Sequence, residues 1–314
     1  MGSPSPRPRR GRRSNRAVTP DVAAIVSPAP AKLNLYLRVT GKRADGYHEL
    51  DSLVAFAALG DTVCAAPAND LSLAVDGPFA GALTTAGSHD DNLVLRAARG
   101  FAELTGCRAG ARLTLTKTLP VASGIGGGSA DAAATLHALT FLWRVKPDRA
   151  GLDELALKLG ADVPVCLDRR PCRLEGIGER LTRLETFPAA PVLLVNPGVP
   201  LATKDVFRAR TGAFSPVLTP PPAPRSAADL AALIEEGGND LEAPARKLLP
   251  VVGEVLAALK SAPGCQAAAM SGSGATCFGL FDRPETAALA EGFIRAAHPG
   301  WWAAATTLLT TQPD

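Results

Sequence analysis

The chain has 314 residues, of which 46% are hydrophobic and 20% are charged, a composition typical of a globular protein with about two domains. No apolar run reaches the length that crosses a membrane. The formal net charge is +3, but six arginines and no acidic residue fall within residues 1–20, so the remaining chain carries +3 less 6, or −3. A slightly acidic body argues against a general nucleic-acid-binding surface.

Residues 1–27 are predicted to form a disordered basic leader, because they are rich in proline and arginine and have no apolar core. They lack the apolar stretch of a secretory signal, whereas a transit peptide, a nucleic-acid-binding arm and a misassigned start codon remain open. Six cysteines without a CxxC pair favour reduced thiols in a cytoplasmic protein. Four widely spaced histidines argue against a histidine-based metal site, and nothing predicts the oligomeric state.

The first predicted strand, residues 31–40, alternates leucine and valine with polar residues. This period of two places Lys32 and Asn34 on one face. Either both side chains face solvent, as strand lysines usually do, or they face a phosphate or carboxylate.

A turn-rich segment, residues 41–53, follows that strand. Its Asp45-Gly46 dipeptide is typical of a turn. The adjacent Tyr47 and His48 would suit stacking on a nucleobase and hydrogen bonding to its edge.

The rest of the first half alternates between strand and helix patterns. Weaker strands are predicted at 61–66, 71–75 and 112–118, and helices at 92–105 (capped by Asp91 or Asn92 and ended by Gly106), 129–143 and 152–159.

A glycine-rich segment, Pro120 to Ala130, joins a strand to a helix. Glycine permits positive φ and close approach of the backbone, and the following helix N-terminus offers unpaired N–H groups and a positive dipole end. Together these features predict a phosphate-binding loop for a nucleotide, the alternative being an ordinary turn before a helix. The members of this loop are Pro120, Val121, Ala122, Ser123, Gly124, Ile125, Gly126, Gly127, Gly128, Ser129 and Ala130.

The loop differs from the common nucleotide-binding motifs. It has no lysine of the Walker A type, and Ser129 stands where a dinucleotide fingerprint needs its third glycine. The protein-kinase motifs H-R-D and D-F-G are absent from the sequence.

Asp162 follows Gly160 and precedes Pro164, which predicts an N-cap with proline in the first helical turn. A capping carboxylate can also face a site, so both roles stay open.

The second half is predicted to hold strands at 192–195, 266–270, 276–281 and 303–310, with helices at 204–209, 226–236, 240–259 and 285–297 and a proline-rich loop at 216–224. This order approximates a βαββαβ unit, which is ferredoxin-like. A second glycine-rich loop, Ser271, Gly272, Ser273 and Gly274, is either a hairpin turn or part of a site.

Three motifs in this order resemble the GHMP small-molecule kinases, which include galactokinase, homoserine kinase and mevalonate kinase. They are the strand that begins Pro30-Ala31-Lys32, the loop from Pro120 to Ala130, and the loop from Met270 to Thr276. The strings GKRADGYHELDSL, GADVPV and VNPGVPLATKDVF are similar to one branch of that family, whose substrate is a cytidine diphosphate conjugate of methylerythritol.

The resemblance implies an α+β fold with a ribosomal protein S5 domain 2-like N-terminal domain, 28–188, and a ferredoxin-like C-terminal domain, 189–314. Asp162 would be the general base, and Lys32 would stabilise the charge on the transferring group. The first glycine loop would bind ATP with Mg²⁺. The implied substrate-binding residues are Asn34, Tyr47, His48, Thr203, Phe207, Ser271, Gly272, Ser273 and Gly274.

Two positions depart from the family pattern: Ile125 replaces leucine, and Ala130 stands where relatives carry a second serine. The alternatives are another GHMP kinase, of the mevalonate or homoserine type, a non-enzymatic RNA-binding protein with an S5-like fold, and an inactive nucleotide-binding module. The acidic body argues against RNA, and the presence of both Lys32 and Asp162 argues against inactivity.

Overall fold

The computed structural model describes residues 23–84, 92–218 and 223–310. Most of the predicted leader, residues 1–22, and the centre of the predicted proline-rich loop, residues 219–222, therefore lie outside the described residues. The predicted end of the leader at residue 27 is wrong, because Ile25 already pairs with Ala65 in the first strand.

The N-terminal sheet has two long central strands. Its members are β1 (Ile25–Lys42), β2 (His48–Ala68), β3 (Leu71–Asp76), β4 (Gly110–Thr116), β5 (Cys172–Gly176) and β6 (Arg180–Arg183). β1 and β2 are antiparallel, β2 also pairs with β4 and with β5, and β3 runs parallel to β4.

The extent of β2 corrects the sequence-based prediction of a turn-rich segment at 41–53. Only residues 43–47 leave the ladder, and His48 pairs directly with Lys42. A strand is usually recognised by alternating apolar and polar residues. The start of β2 lacks this alternation, because its buried positions include the polar residues Asp51 and Ser52. The short strands β5 and β6 were not predicted.

Five helices accompany this sheet: α1 (Ala80–Thr84), α2 (Leu93–Thr105), α3 (Gly127–Leu142), α4 (Arg149–Leu159) and α5 (Val163–Asp168). α2 is capped as predicted, since Asn92 accepts a hydrogen bond from the N–H of Val94 and Gly106 takes φ 64°. α3 begins two residues before the predicted Ser129. Its alanines are buried, so this helix packs closely against the sheet and fixes the position of its N-terminus.

The C-terminal sheet consists of β7 (Pro191–Asn196), β8 (Cys265–Met270), β9 (Cys277–Phe281) and β10 (Trp302–Thr307). Its order is β10-β7-β9-β8 with antiparallel neighbours, which confirms the ferredoxin-like prediction. The helices are α6 (Thr203–Ala209), α7 (Ala227–Gly237), α8 (Glu242–Leu248), α9 (Val251–Ser261) and α10 (Pro284–Ala297).

The two sheets share a hydrophobic core. Leu33 and Leu35 of β1 lie in one buried cluster with Leu194 of β7 and Phe278 of β9. The backbone of Leu37 exchanges hydrogen bonds with residues 238 and 240, which immediately follow α7. These contacts hold the domains in one arrangement and place β1, which carries Lys32, between them.

Candidate active site

A cavity of about 1570 Å³ lies between the two domains. It is larger than most single-ligand pockets, so two small molecules can occupy it together. Both glycine-rich loops contribute to its wall, as do Lys32 and Asp162.

The structure brings Lys32 and Asp162 together. The Lys32 Nζ lies 3.1 Å from Asp162 Oδ2, and the lysine side chain is 4% exposed whereas that of Asp162 is 42% exposed. Asp162 occupies the N-cap position of α5, as predicted, but its side chain makes no capping hydrogen bond. The carboxylate is therefore directed to the lysine and the cavity rather than used to terminate the helix.

Asn34 orients the ammonium group of Lys32. Its Oδ1 accepts a hydrogen bond from Lys32 Nζ at 2.9 Å, and its Nδ2 donates to Ser52 Oγ at 2.8 Å. The shared face of Lys32 and Asn34 is thus buried in the site rather than solvated. Asn34 also lines the cavity, so it both orients Lys32 and keeps a surface on the site.

The first glycine-rich loop lines the cavity with its backbone. Gly126, with φ 65°, precedes α3 and has no side-chain cap, so the first N–H groups of α3 remain available to a ligand. The loop is tied to the base of the site, since the N–H of Lys32 donates to the carbonyl of Ile125 at 2.9 Å. Of the predicted members, Ile125 and Ala130 are buried behind the wall and do not line the cavity.

The two glycine-rich loops touch through their backbones. Ser271 Oγ donates to the carbonyl of Gly124 at 3.1 Å, and the N–H of Thr276 donates to the carbonyl of Ser123 at 3.1 Å. A Cβ on Gly124, which has φ +77°, would lie 2.5 Å from the carbonyl oxygen of Gly274. Only glycine therefore fits at position 124, where the loops from the two domains are in backbone contact.

We expect Gly124→Ala to lower the free energy of unfolding by about 1–2 kcal/mol or more, because positive φ and the clash both displace the loop. Chemical denaturation measures the effect. Gly292→Ala on α10, where a Cβ meets nothing within 4 Å, is the matched control and is expected to retain or gain stability. Equal stability of both variants would contradict the crowding argument.

One part of the second glycine-rich loop lines the cavity, and the other part lies behind the wall. Gly272 and Ser273 line the cavity, and Ser273 Oγ lies 2.8 Å from Thr203 Oγ1. Ser271 is fully buried, and Gly274 does not line the cavity either. Ser271 and Gly274 lie where the two loops meet, behind the cavity wall, and their substrate-binding role stays a prediction.

Tyr47, His48 and Phe207 all line the same cavity. The rings of His48 and Phe207 are stacked with centroids 4.9 Å apart, and Tyr47 is 59% exposed. Burial, followed by the charges of Lys42 and Arg210, lowers the pKa of His48. The imidazole is consequently neutral near pH 7, so one ring nitrogen donates a hydrogen bond and the other accepts one.

Sequence reasoning missed several residues of the wall. Val75, Leu83, Leu93 and Leu115 form an apolar part of it. Lys117 and Asp131 line it as buried charges, and an acidic residue within an otherwise alanine-rich helix was an available signal for Asp131. Ile177 and Gly178 reach the cavity from the turn between β5 and β6, two strands that the sequence pattern did not reveal.

In the described part of the chain, no group of three or more His, Cys, Asp or Glu side chains is arranged to hold a metal ion. Within residues 23–84, 92–218 and 223–310, no helix combines the length and the apolar character that a membrane span requires.

Comparison with known proteins agrees with this geometry. The model of the GHMP kinases N terminal domain matches residues 92–169, and that of the GHMP kinases C terminal matches residues 223–300. The chain belongs to the GHMP kinase family.

Its relatives within the family are more specific. A 4-diphosphocytidyl-2-C-methyl-D-erythritol kinase of Rhodospirillum rubrum is 50% identical over 93% of this chain and 95% of the relative, and one of Paramagnetospirillum magneticum is 53% identical over 90% and 98%. The fold also matches a crystal structure of 4-(cytidine 5'-diphospho)-2C-methyl-D-erythritol kinase with a TM-score of 0.74. The two chains are 37% identical, and the match covers 90% of this chain and 99% of the other. Homoserine kinase from Cytophaga hutchinsonii shares the fold at 18% identity and a TM-score of 0.65, covering 93% of this chain and 98% of its own.

Proposed function

We infer that this chain is an ATP-dependent kinase that phosphorylates the 2-hydroxyl of 4-diphosphocytidyl-2-C-methyl-D-erythritol, in the non-mevalonate pathway to isoprenoid precursors. Relatives of that name are about half identical over nearly the whole chain. The structural observation that carries the inference is the Lys32–Asp162 contact at the wall of a cavity shared with the glycine-rich loops.

The proposed reaction is an in-line phosphoryl transfer. Asp162 takes the proton of the substrate hydroxyl, the hydroxyl oxygen forms a bond to the γ-phosphorus, and the bond from that phosphorus to ADP breaks. Phosphoryl transfer depends mainly on positioning and on electrostatic stabilisation. The ammonium of Lys32 supplies positive charge beside the reacting atoms and holds the carboxylate in place.

ATP would bind along the first glycine-rich loop. The N–H groups at the start of α3 would receive its phosphates, and the apolar wall of Val75, Leu83, Leu93 and Leu115 would receive its base. Mg²⁺ would accompany ATP and offset the charge of its phosphates, since the described residues include no group of three or more His, Cys, Asp or Glu side chains arranged as a metal cage.

The aromatic part of the cavity would bind the cytosine. Tyr47 and Phe207 would stack on its two faces, while neutral His48, held against Phe207, would hydrogen-bond to its edge. A cytosine edge carries both donors and acceptors, which a neutral imidazole can match. Thr203, Gly272 and Ser273 would line the acceptor region.

We expect Tyr47→Ala to raise the KM for the cytidyl substrate about tenfold while the KM for ATP changes less than twofold, because stacking on one base is worth about 1–3 kcal/mol. Initial rates with each substrate varied separately measure the two constants. Phe293→Ala, which removes an exposed ring from α10, is the control and should change neither. An equal rise in both KM values would contradict the cytosine assignment.

A coupled ADP-release assay tests the function directly. We expect turnover with the cytidyl substrate and none above background with mevalonate or homoserine, because kinases of those substrates with the same fold are only 10% and 18% identical to this chain. Turnover with either of the latter alone would overturn the inference.

We further propose that the enzyme acts on its small-molecule substrate without nucleic acid, in the cytoplasm, in keeping with its six free cysteines.

A further inference from the structure

Three charged side chains are buried together beside the first glycine-rich loop. Asp61 of β2, Lys117 at the end of β4 and Asp131 of α3 are 1%, 2% and 3% exposed. The Nζ of Lys117 donates to both carboxylates, at 2.9 Å to Asp131 Oδ2. With both acids ionised, this cluster would carry a net charge of −1 in the protein interior.

The two carboxylates have different surroundings. Asp61 Oδ1 accepts hydrogen bonds from the N–H groups of Thr118 at 2.6 Å and Leu119 at 2.8 Å, an environment built for a negative charge. Asp131 Oδ1 is buried and accepts no hydrogen bond from the described residues. An ionised carboxylate with an unpaired oxygen is costly in the protein interior, and protonation of Asp131 removes the buried negative charge.

The pKa of Asp131 also favours the protonated form. Burial raises the pKa of Asp131 to about 7, and the charge and hydrogen bonding of Asp61 add to this effect, although Lys117 opposes it. The acid therefore changes its protonation within the physiological range, which an ordinary aspartate does not.

Apart from Lys117, the described groups near Asp131 supply no positive charge that could neutralise its carboxylate in place of a proton. The neighbouring α5 contributes the thiol of Cys166, which burial keeps protonated by raising its pKa. β1 contributes Lys32, whose Nζ is committed to Asp162 and Asn34. The buried residues of α2 and α4 are all apolar.

The cluster adjoins the proposed phosphate site. A Cβ on Gly127, the first residue of α3, would lie 3.1 Å from Lys117 Nζ and 3.6 Å from Asp61 Oδ2. Lys117 and Asp131 themselves line the cavity. A negative cluster would repel the triphosphate across this thin wall, whereas a neutral one would not.

We propose that Asp131 is a positioning residue of the nucleotide site, carrying a proton on its carboxylate so that the cluster behind the phosphate loop has no net charge when ATP binds. The proposal rests on the proposed function, because it requires ATP at that loop. In the free protein above pH 7, Asp131 is ionised, and nucleotide binding draws one proton from solvent onto its carboxylate. Affinity for ATP therefore falls as pH rises.

Titration calorimetry of MgATP binding without the second substrate tests the proposal. Between pH 6.5 and 8.5, we expect the Kd of the unmodified chain to rise about threefold to tenfold more than that of Asp131→Asn, since one proton permits at most about tenfold per pH unit. The variant keeps the shape of the protonated acid, and comparison with it cancels the titration of ATP itself. Asp153→Asn, on the exposed side of α4, is the control and should follow the unmodified chain.

An identical pH dependence in Asp131→Asn and the unmodified chain would overturn the proposal. Should the variant not fold, titrations of the unmodified chain in two buffers of different ionisation enthalpy count the protons taken up at pH 8. Uptake no greater than that of MgATP alone would also overturn it. Failure of the chain to bind MgATP at either pH would instead overturn the kinase assignment, and this proposal with it.

Discussion

Asp162→Asn is expected to lower kcat at least a hundredfold while leaving the affinity for ATP within a few-fold of the unmodified enzyme. A general base contributes about 10²–10⁴ to the rate, and the amide of asparagine cannot accept the substrate proton. A hundredfold loss corresponds to about 2.7 kcal/mol in the activation free energy. Single-turnover rates and calorimetric binding of MgATP separate the chemical step from nucleotide binding.

This substitution also distinguishes the catalytic role from helix capping. Asparagine caps a helix about as well as aspartate does, so a residue that only caps would tolerate the change. Asp148 supplies the matched control, because at the start of α4 it does make the capping hydrogen bond, to the N–H of Gly151 at 2.8 Å. Asp148→Asn should retain both kcat and stability. Near-normal turnover of Asp162→Asn would remove Asp162 from the mechanism.

Local patterns were sufficient to predict the parts of the site that depend on a single element. The period of two in β1 placed Lys32 and Asn34 on one face, and they now share a hydrogen bond. Glycine spacing predicted a loop at the N-terminus of α3, where Gly124 and Gly126 take positive φ. The residues that carry these features are near one another in sequence, so their geometry follows from backbone preferences alone.

Other parts of the site depend on contacts between distant segments. The burial of Lys117 requires Asp61 and Asp131 to converge on it from β2 and α3, and no local pattern encodes that meeting. Ser271 resembled a ligand-binding serine in a glycine-rich loop, yet its hydroxyl bridges the backbones of Asn34 and Gly124. Whether such a residue faces a ligand or supports the wall is decided by tertiary packing rather than by its own loop.

Lys32→Met is expected to lower kcat about 10²–10³-fold, the loss typical of removing one preorganised electrostatic contact to a transition state. Methionine approximates the length and apolar stem of lysine, so the buried volume beside Gly126 is largely kept. Asp162 is half-exposed and remains hydrated when its partner is removed, so the fold should survive the change. Loss of charge should therefore affect the chemical step more than the free energy of unfolding.

The control for this variant is Lys158→Met on α4, where an exposed lysine pairs with Glu154 at 2.7 Å. A surface pair of this kind is worth about 0–1 kcal/mol, so neither kcat nor stability should change appreciably. A kcat for Lys32→Met within tenfold of the unmodified enzyme would show that the ammonium does not act on the transferring phosphoryl group. Because Asn34 and Asp162 both contact Lys32, their double variants with Lys32→Met should lose less than the sum of the single effects, as expected for groups that act as one unit.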